Sequence, residues 1–195
     1  MKALMNGYVG VKFSAIQITQ EVPPFVKVLF ARFKRSAESL REYGMTPKNG
    51  GNISLKRAKG FIITSSGSNL GTLEESEIVY VQKCSIEEQQ VEYAGENVPS
   101  SETFLHYLIY RCRPDIEAVV HAHDPKTAMV SVSSLKETPK EEAYGTLALA
   151  RMACKTFSKK ERIIVLKNHG YVAIGKTLDE AVDLIVSAHL NLAGK

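Results

Sequence analysis

Short β-prone runs at residues 61–64, 78–81, 116–120 and 163–166 each break off after four or five residues into small polar or histidine-bearing segments. Apolar runs of that length suit buried strands better than helices. Helical patterns surround them. After Pro23-Pro24, Val26, Leu29, Phe30, Phe33, Ala37 and Leu40 recur at helical spacing as far as Gly44, which marks the stop. Pro99-Ser100-Ser101-Glu102 introduces a second helix with Leu105, Leu108, Ile109 and Cys112 on its buried face. A third closes the chain, with Ala181, Val182, Leu184, Ile185, Ala188 and Leu192 in register. Asn49-Gly50-Gly51-Asn52 reads as a loop leading into a short strand at residues 53–56. The mixture predicts a sheet covered by helices.

The chain has 195 residues, 44% of them apolar, which suffices for one well-buried domain and is short for two. A single domain over residues 1–195 is expected. Residues 1–22 form an atypical extension in which Val9, Val11 and Phe13, then Ile16 and Ile18, alternate as in a strand. No apolar run approaches the ~20 residues of a membrane span. Asn6, Lys12, Gln17 and Gln20 interrupt the first segment, so it lacks a signal peptide's apolar core. A cytoplasmic protein with no membrane partner is expected. The net charge of +4 is spread through mixed stretches such as Lys159-Lys160-Glu161-Arg162, which describe solvated faces and argue against a nucleic-acid partner. Cys84, Cys112 and Cys154, odd in number and without CxxC spacing, read as small packing residues, not as a disulfide framework or a thiolate metal site.

His121 and His123 stand two apart at the end of an apolar strand, so both imidazoles point to one side. His169 follows a second apolar strand, and strand ends can bring it to the same point. Three neutral imidazoles with a fourth position open are the arrangement of catalytic zinc, although another divalent metal suits them too. Glu102 is either a ligand or proton carrier beside that ion, or a carboxylate that serves the helix N-terminus. His106, one turn on, reads as packing or support, and His189 as packing or interface. Gly50-Gly51-Asn52, Ser65-Ser66-Gly67 and Pro99-Ser100-Ser101 offer amides and hydroxyls that suit a phosphate, or ordinary turns and caps. None has the form of a nucleotide-binding loop.

Taken in order, Gly51-Asn52-Ile53-Ser54, Ile63-Thr64-Ser65-Ser66-Gly67, Pro99-Ser100-Ser101-Glu102, Ala118-Val119-Val120-His121-Ala122-His123 and Asn168-His169-Gly170 resemble the class II aldolase/adducin family over about residues 26 to 193. The resemblance implies a three-layer α/β/α domain with a mostly antiparallel sheet, assembled as a homotetramer. It implies zinc on His121, His123 and His169, with Glu102 as the acid/base residue that can also approach the metal, and Asn52, Ser66, Gly67, Ser100 and Ser101 at the positions that hold a substrate phosphate. The implied activity is cleavage of a ketose 1-phosphate of the fuculose-1-phosphate type, the metal serving as electron sink in place of a Schiff-base lysine. Epimerases of the family carry aspartate where this chain has Glu102, which favours the aldolase. Dehydratases and decarboxylases share the glutamate and stay open, as does an adducin-like interaction module, although a scaffold has no need of the metal residues.

The chain departs from the family pattern between His123 and Asn168, which is shorter by about one strand and its loop, the stretch expected to carry a tyrosine that acts across a subunit interface. Tyr144 lies nearby without aligning to it. Residues 1–22 are expected to supply an edge strand in place of the missing one, and the last helix stops before the tail that closes some family sites.

Overall fold

The computed structural model describes residues 11–125 and 134–193; the reading at Val9 falls outside these. In chain order come β1 (Ser14–Thr19), α1 (Pro24–Glu42), β2 (Asn52–Arg57), β3 (Gly60–Thr64), β4 (Ile78–Ser85), β5 (Gln90–Ala94), α2 (Thr103–Cys112), β6 (Ala118–Ala122), β7 (Lys136–Glu137), α3 (Leu147–Thr156), β8 (Ile163–Leu166), β9 (Gly170–Gly175) and α4 (Leu178–Ala193). The strands form one sheet in the order β1-β5-β4-β3-β2-β6-β9-β8-β7. Only its two edge pairs, β1 with β5 and β7 with β8, are parallel. The sheet is therefore mixed and mostly antiparallel, as the resemblance implied.

Alternation along the strands sorts the core into two layers. Ile53, Leu55, Ile62, Ala118, Val120, Tyr171 and Ala173 pack on one face with Val26, Phe33 and Leu40 of α1 and Ala181 and Ile185 of α4. Phe61, Ile63, Val119, Val172 and Ile174 pack on the other with Phe104, Leu105 and Ile109 of α2 and Leu149, Ala150 and Ala153 of α3. Helices on both faces complete the three layers. Each fully buried Leu, Ile, Val or Phe side chain contributes about 1.5–3 kcal/mol by leaving water, so the central strands are the rigid platform on which the loops at their ends are set.

Four of these elements went unread in the sequence: β5, β7, α3 and β9. In α3, Thr146 caps the N-terminus by accepting from the Leu149 N–H at 3.2 Å. Two expectations need correction. Residues 14–19 are an edge strand, but they lie beyond β5, at the end of the sheet opposite β7, which the shortened segment itself supplies; β1 extends the other edge and does not fill the gap. Cys112 and Cys154 are in disulfide contact between α2 and α3, with Cα atoms 6.1 Å apart, whereas Cys84 is free and burial pushes its thiol up to about 12. One bond plus one free thiol accounts for the odd number.

Candidate metal centre and substrate pocket

Alternation also decides which face carries the polar chemistry. Val120 and Ala122 of β6 face α1 and α4, so His121 turns to the α2 side. Ile53 and Leu55 do the same in β2, which turns Asn52 and Ser54 towards α2, and the register pairs Asn52 with His121. His169 sits in the turn between β8 and β9, where its N–H bonds to Leu166 O at 3.0 Å. Asn168 supplies the left-handed residue of that turn at φ 55°. Because β9 pairs antiparallel with β6, with Tyr171 opposite Ala122, this turn reaches the same end of the sheet as His121 and His123.

The three imidazoles converge there. His123 Nε2 lies 2.8 Å from His121 Nε2 and 3.1 Å from His169 Nε2, and all three ligand atoms lie within 4.8 Å of one another. His121 Nδ1–H donates to Tyr171 O at 2.8 Å, which fixes the tautomer and leaves a lone pair on Nε2. Burial, then the charges His123 and His169 would carry, hold His121 well below its usual pKa. Burial also lowers His123 to about 4. Both are neutral at neutral pH. Glu102 Oε2 stands 3.2 Å from His121 Nε2, and Glu102 Oε1 is buried without a hydrogen-bond partner. Lone pairs and a carboxylate crowded together this way are reconciled by a cation. A tetrahedral ion with nitrogen ligands at ~2.0–2.1 Å sets them about 3.3 Å apart, close to the separations here, so the residues fit a divalent metal. The loop before β2 accommodates the site as well: a Cβ on Gly50 would come within 2.7 Å of His123 Nδ1.

Behind the metal ligands runs a buried chain of hydrogen bonds. Asn52 Nδ2 donates to Glu102 Oε2 at 2.9 Å, and Asn52 Oδ1 lies 2.5 Å from His106 Nε2. An amide oxygen carries no proton, so His106 donates from Nε2. Its pKa, lowered to about 4 by burial against the opposing pull of Glu102, makes the ring neutral and leaves Nδ1 as an acceptor. The Ser54 hydroxyl, 2.6 Å away, donates to it, and the Tyr110 hydroxyl, 2.7 Å from Ser54, donates in turn. Every donor in the chain points towards Glu102. Glu102 itself is the N-cap residue of α2 but makes no side-chain capping bond, so its carboxylate serves the site and not the helix.

These groups open into a cavity of about 400 Å³. Glu102, His123 and His169 line it together with Ser65, Gly67, Ser100 and Ser101, and Pro47, Lys48, Asn49, Asn52 and Tyr144 also border it. Of the residues expected around a phosphate, Asn52, Gly67, Ser100 and Ser101 border this cavity, while Ser66 does not. Its N–H is committed to Val98 O at 2.8 Å, and Ser65 borders the space instead. Asn52 retains one amide N–H beyond those bonds. Ser54, Tyr110 and Lys48 were given no role from the sequence, Ser65 entered there only as part of a small polar segment that suits a phosphate, and His106 was read there only as packing or support. The signal for three of them was available: Asn52 and Ser54 are two apart on a strand, and Glu102, His106 and Tyr110 four apart on a helix, so each set shares a face. His189 packs, as expected, with Nδ1 2.8 Å from buried Asp124 Oδ2.

Residues 33–190 match the family described as Class II Aldolase and Adducin N-terminal domain. The chain belongs to this family. With the three-histidine site, it is a metal-dependent enzyme of the class II aldolase type. Among class II aldolases, the L-fuculose phosphate aldolase of Methanococcus vannielii is 36% identical over 151 residues, which cover 68% of this chain and 76% of that protein. The 5-methylthioribulose-1-phosphate/5-deoxyribulose-1-phosphate aldolase of Rhodospirillum rubrum is 28% identical over 167 residues, covering 77% and 72%. A solved L-fuculose 1-phosphate aldolase has the same fold, with a TM-score of 0.71 at 27% identity over 89% of this chain and 85% of that one.

Proposed function

We propose that this class II aldolase cleaves a ketose 1-phosphate of the fuculose-1-phosphate type into dihydroxyacetone phosphate and an aldehyde, with zinc as its metal, as a cytoplasmic homotetramer. The observation that carries the reading is the bare, buried Glu102 Oε1 beside three convergent imidazoles, of which His123 and His169 line the cavity. His121, His123 and His169 would hold the ion. When bound, the ion supplies a Lewis acid for negative charge developing on the substrate's carbonyl. In cleavage the C3–C4 bond breaks, its electron pair moves towards the C2 carbonyl, C4 becomes the aldehyde with loss of its hydroxyl proton, and C3 gains a proton. Glu102 delivers that proton to C3, and removes it in the reverse condensation. The amide of Asn52 keeps Oε2 oriented, which leaves Oε1 directed at the reacting carbon. Ser100, Ser101, Gly67 and the remaining N–H of Asn52 hold the phosphate, as expected from the sequence, with Ser65 in place of Ser66.

Incubation of the zinc-loaded protein with a panel of ketose 1-phosphates, assayed for dihydroxyacetone phosphate, tests the reading. Release from L-fuculose 1-phosphate or a close analogue supports it. The relative from Rhodospirillum rubrum makes 5-methylthioribulose 1-phosphate and 5-deoxyribulose 1-phosphate the second substrates to try, with the same bond broken. Turnover of panel members without dihydroxyacetone phosphate would point instead to a dehydratase or epimerase, and loss of CO2 from a phosphorylated sugar acid to a decarboxylase.

A further inference from the structure

We propose that the end of the sheet opposite the histidines carries a second anion site, a cavity that binds a small hydroxylated phosphate monoester of the sugar-phosphate kind. It shares no lining residue with the metal pocket, so the proposal stands apart from the aldolase reading. The cavity measures about 490 Å³, and four cations, Arg32, Arg35, Arg57 and Lys176, line it with two carboxylates, Glu117 and Asp179. The strands place it. Register pairs Asn52 of β2 with His121 at the metal end, so Arg57, the last residue of β2, and Glu117, just ahead of β6, stand at the other end. Backbone bonds fix this rim: the Lys56 N–H donates to Glu117 O at 2.7 Å and the Glu117 N–H to Gly175 O at 2.9 Å. The turn that carries Lys176 is tight, since a Cβ on Gly175 would come within 2.7 Å of Thr177 O.

Pairing within the cavity leaves an excess of positive charge. Arg35 is committed to Asp179, its Nη2 donating to both carboxylate oxygens at 3.0 and 2.8 Å. Arg57 donates from Nη1 to Lys56 O at 2.6 Å. Burial lowers its pKa, Glu117 opposes that, and the charge on Arg32 adds to it. Two guanidinium groups therefore repel each other here. Among the described residues the Arg32 guanidinium and the Lys176 ammonium make no hydrogen bond or ion pair. Lys176 acts through space on Asp115, whose carboxylate Arg113 already holds by two bonds of 2.8 Å. Like charges gathered in a concave space focus a positive field, and an anion relieves their repulsion. Arg32, Arg57 and Lys176 suit a dianionic phosphate. The Glu117 carboxylate, which accepts no hydrogen bond among the described residues, suits the hydroxyls of the same ligand. The volume falls in the range of small-molecule sites, about 300–1,000 Å³, which leaves room for an organic body beside the phosphate.

The test titrates the zinc-loaded full chain by calorimetry in physiological salt, where diffuse attraction is screened, with ribose 5-phosphate and, separately, inorganic phosphate. The proteins are wild type, R32M, K176M, S101A and K34M, the last a control that removes a cation of α1 that does not line the cavity. Losing one charged contact predicts about 10-fold or more weaker binding of ribose 5-phosphate at one site in R32M and in K176M. S101A and K34M leave that site unchanged, and R32M and K176M keep the wild-type KM for any ketose phosphate that the enzyme cleaves. Binding that does not respond to R32M or K176M, or that weakens equally in K34M, would overturn the proposal. Inorganic phosphate bound as tightly as ribose 5-phosphate would overturn the choice of a sugar phosphate in favour of the free ion. Failure of the aldolase reading shows separately, as absence of cleavage, and leaves this titration to stand on its own.

Discussion

Glu102 occupies a helix N-cap, where a carboxylate ordinarily serves the helix, yet one of its oxygens bonds to Asn52 and the other has no partner. That division of labour makes Glu102→Gln informative. The amide is isosteric but cannot move the proton, so kcat is expected to fall by about 10²–10⁴-fold while metal content, measured by elemental analysis, stays near that of the wild type. His121→Ala acts on the other half of the site. It removes a fully buried ligand, and metal affinity is expected to drop by at least about 100-fold, read by competition with a chelating dye. His106→Ala leaves Asn52 Oδ1 and the Ser54 hydroxyl short of a partner in a dry interior. The expected cost is about 1–3 kcal/mol in denaturant unfolding, together with a lower kcat as Asn52 and Glu102 lose their fixed orientation.

The loops at the sheet's end set the site, and the strands set the loops. Gly50→Ala is the sharpest probe of that dependence: its new Cβ would collide with the His123 ring, so metal affinity should fall by about 10-fold or more with little change in thermal stability of the metal-free protein. A variant with wild-type metal affinity would mean that the loop yields instead. Much of this end was legible in the sequence because strand period places His121 with His123, and two apolar strands running into histidines can converge. The left-handed turn at Asn168 that delivers His169 was not legible, since it depends on β9, a strand with no break of its own after Gly170. Nor was α3, a ten-residue helix whose buried face is carried largely by Leu149, Ala150 and Ala153. The position of β1 depended on pairing with β5, which was likewise unread.

For the whole molecule, folding and metal binding are coupled through neutral histidines. His106 is lowered to about 4 by burial, and His123 also to about 4, against about 6.5 when unfolded. Below that unfolded value the unfolded chain binds more protons than the native one, so native stability is full above about pH 6.5 and declines as pH falls towards 4. For His106 alone the loss is on the order of 3 kcal/mol. Unfolding of metal-free protein at a series of pH values should show this decline, with a smaller slope in His106→Gln. Among the described residues no helix is long and apolar enough to cross a membrane. The most direct test of the account follows catalysis as metal is removed and returned. Cleavage of a ketose 1-phosphate to dihydroxyacetone phosphate should fall in proportion to metal occupancy during chelation, return on adding zinc, and be absent in His121→Ala at every occupancy. Release of dihydroxyacetone phosphate that persists after complete removal of metal, or its absence from the fully loaded wild type across the substrate panel, would contradict it.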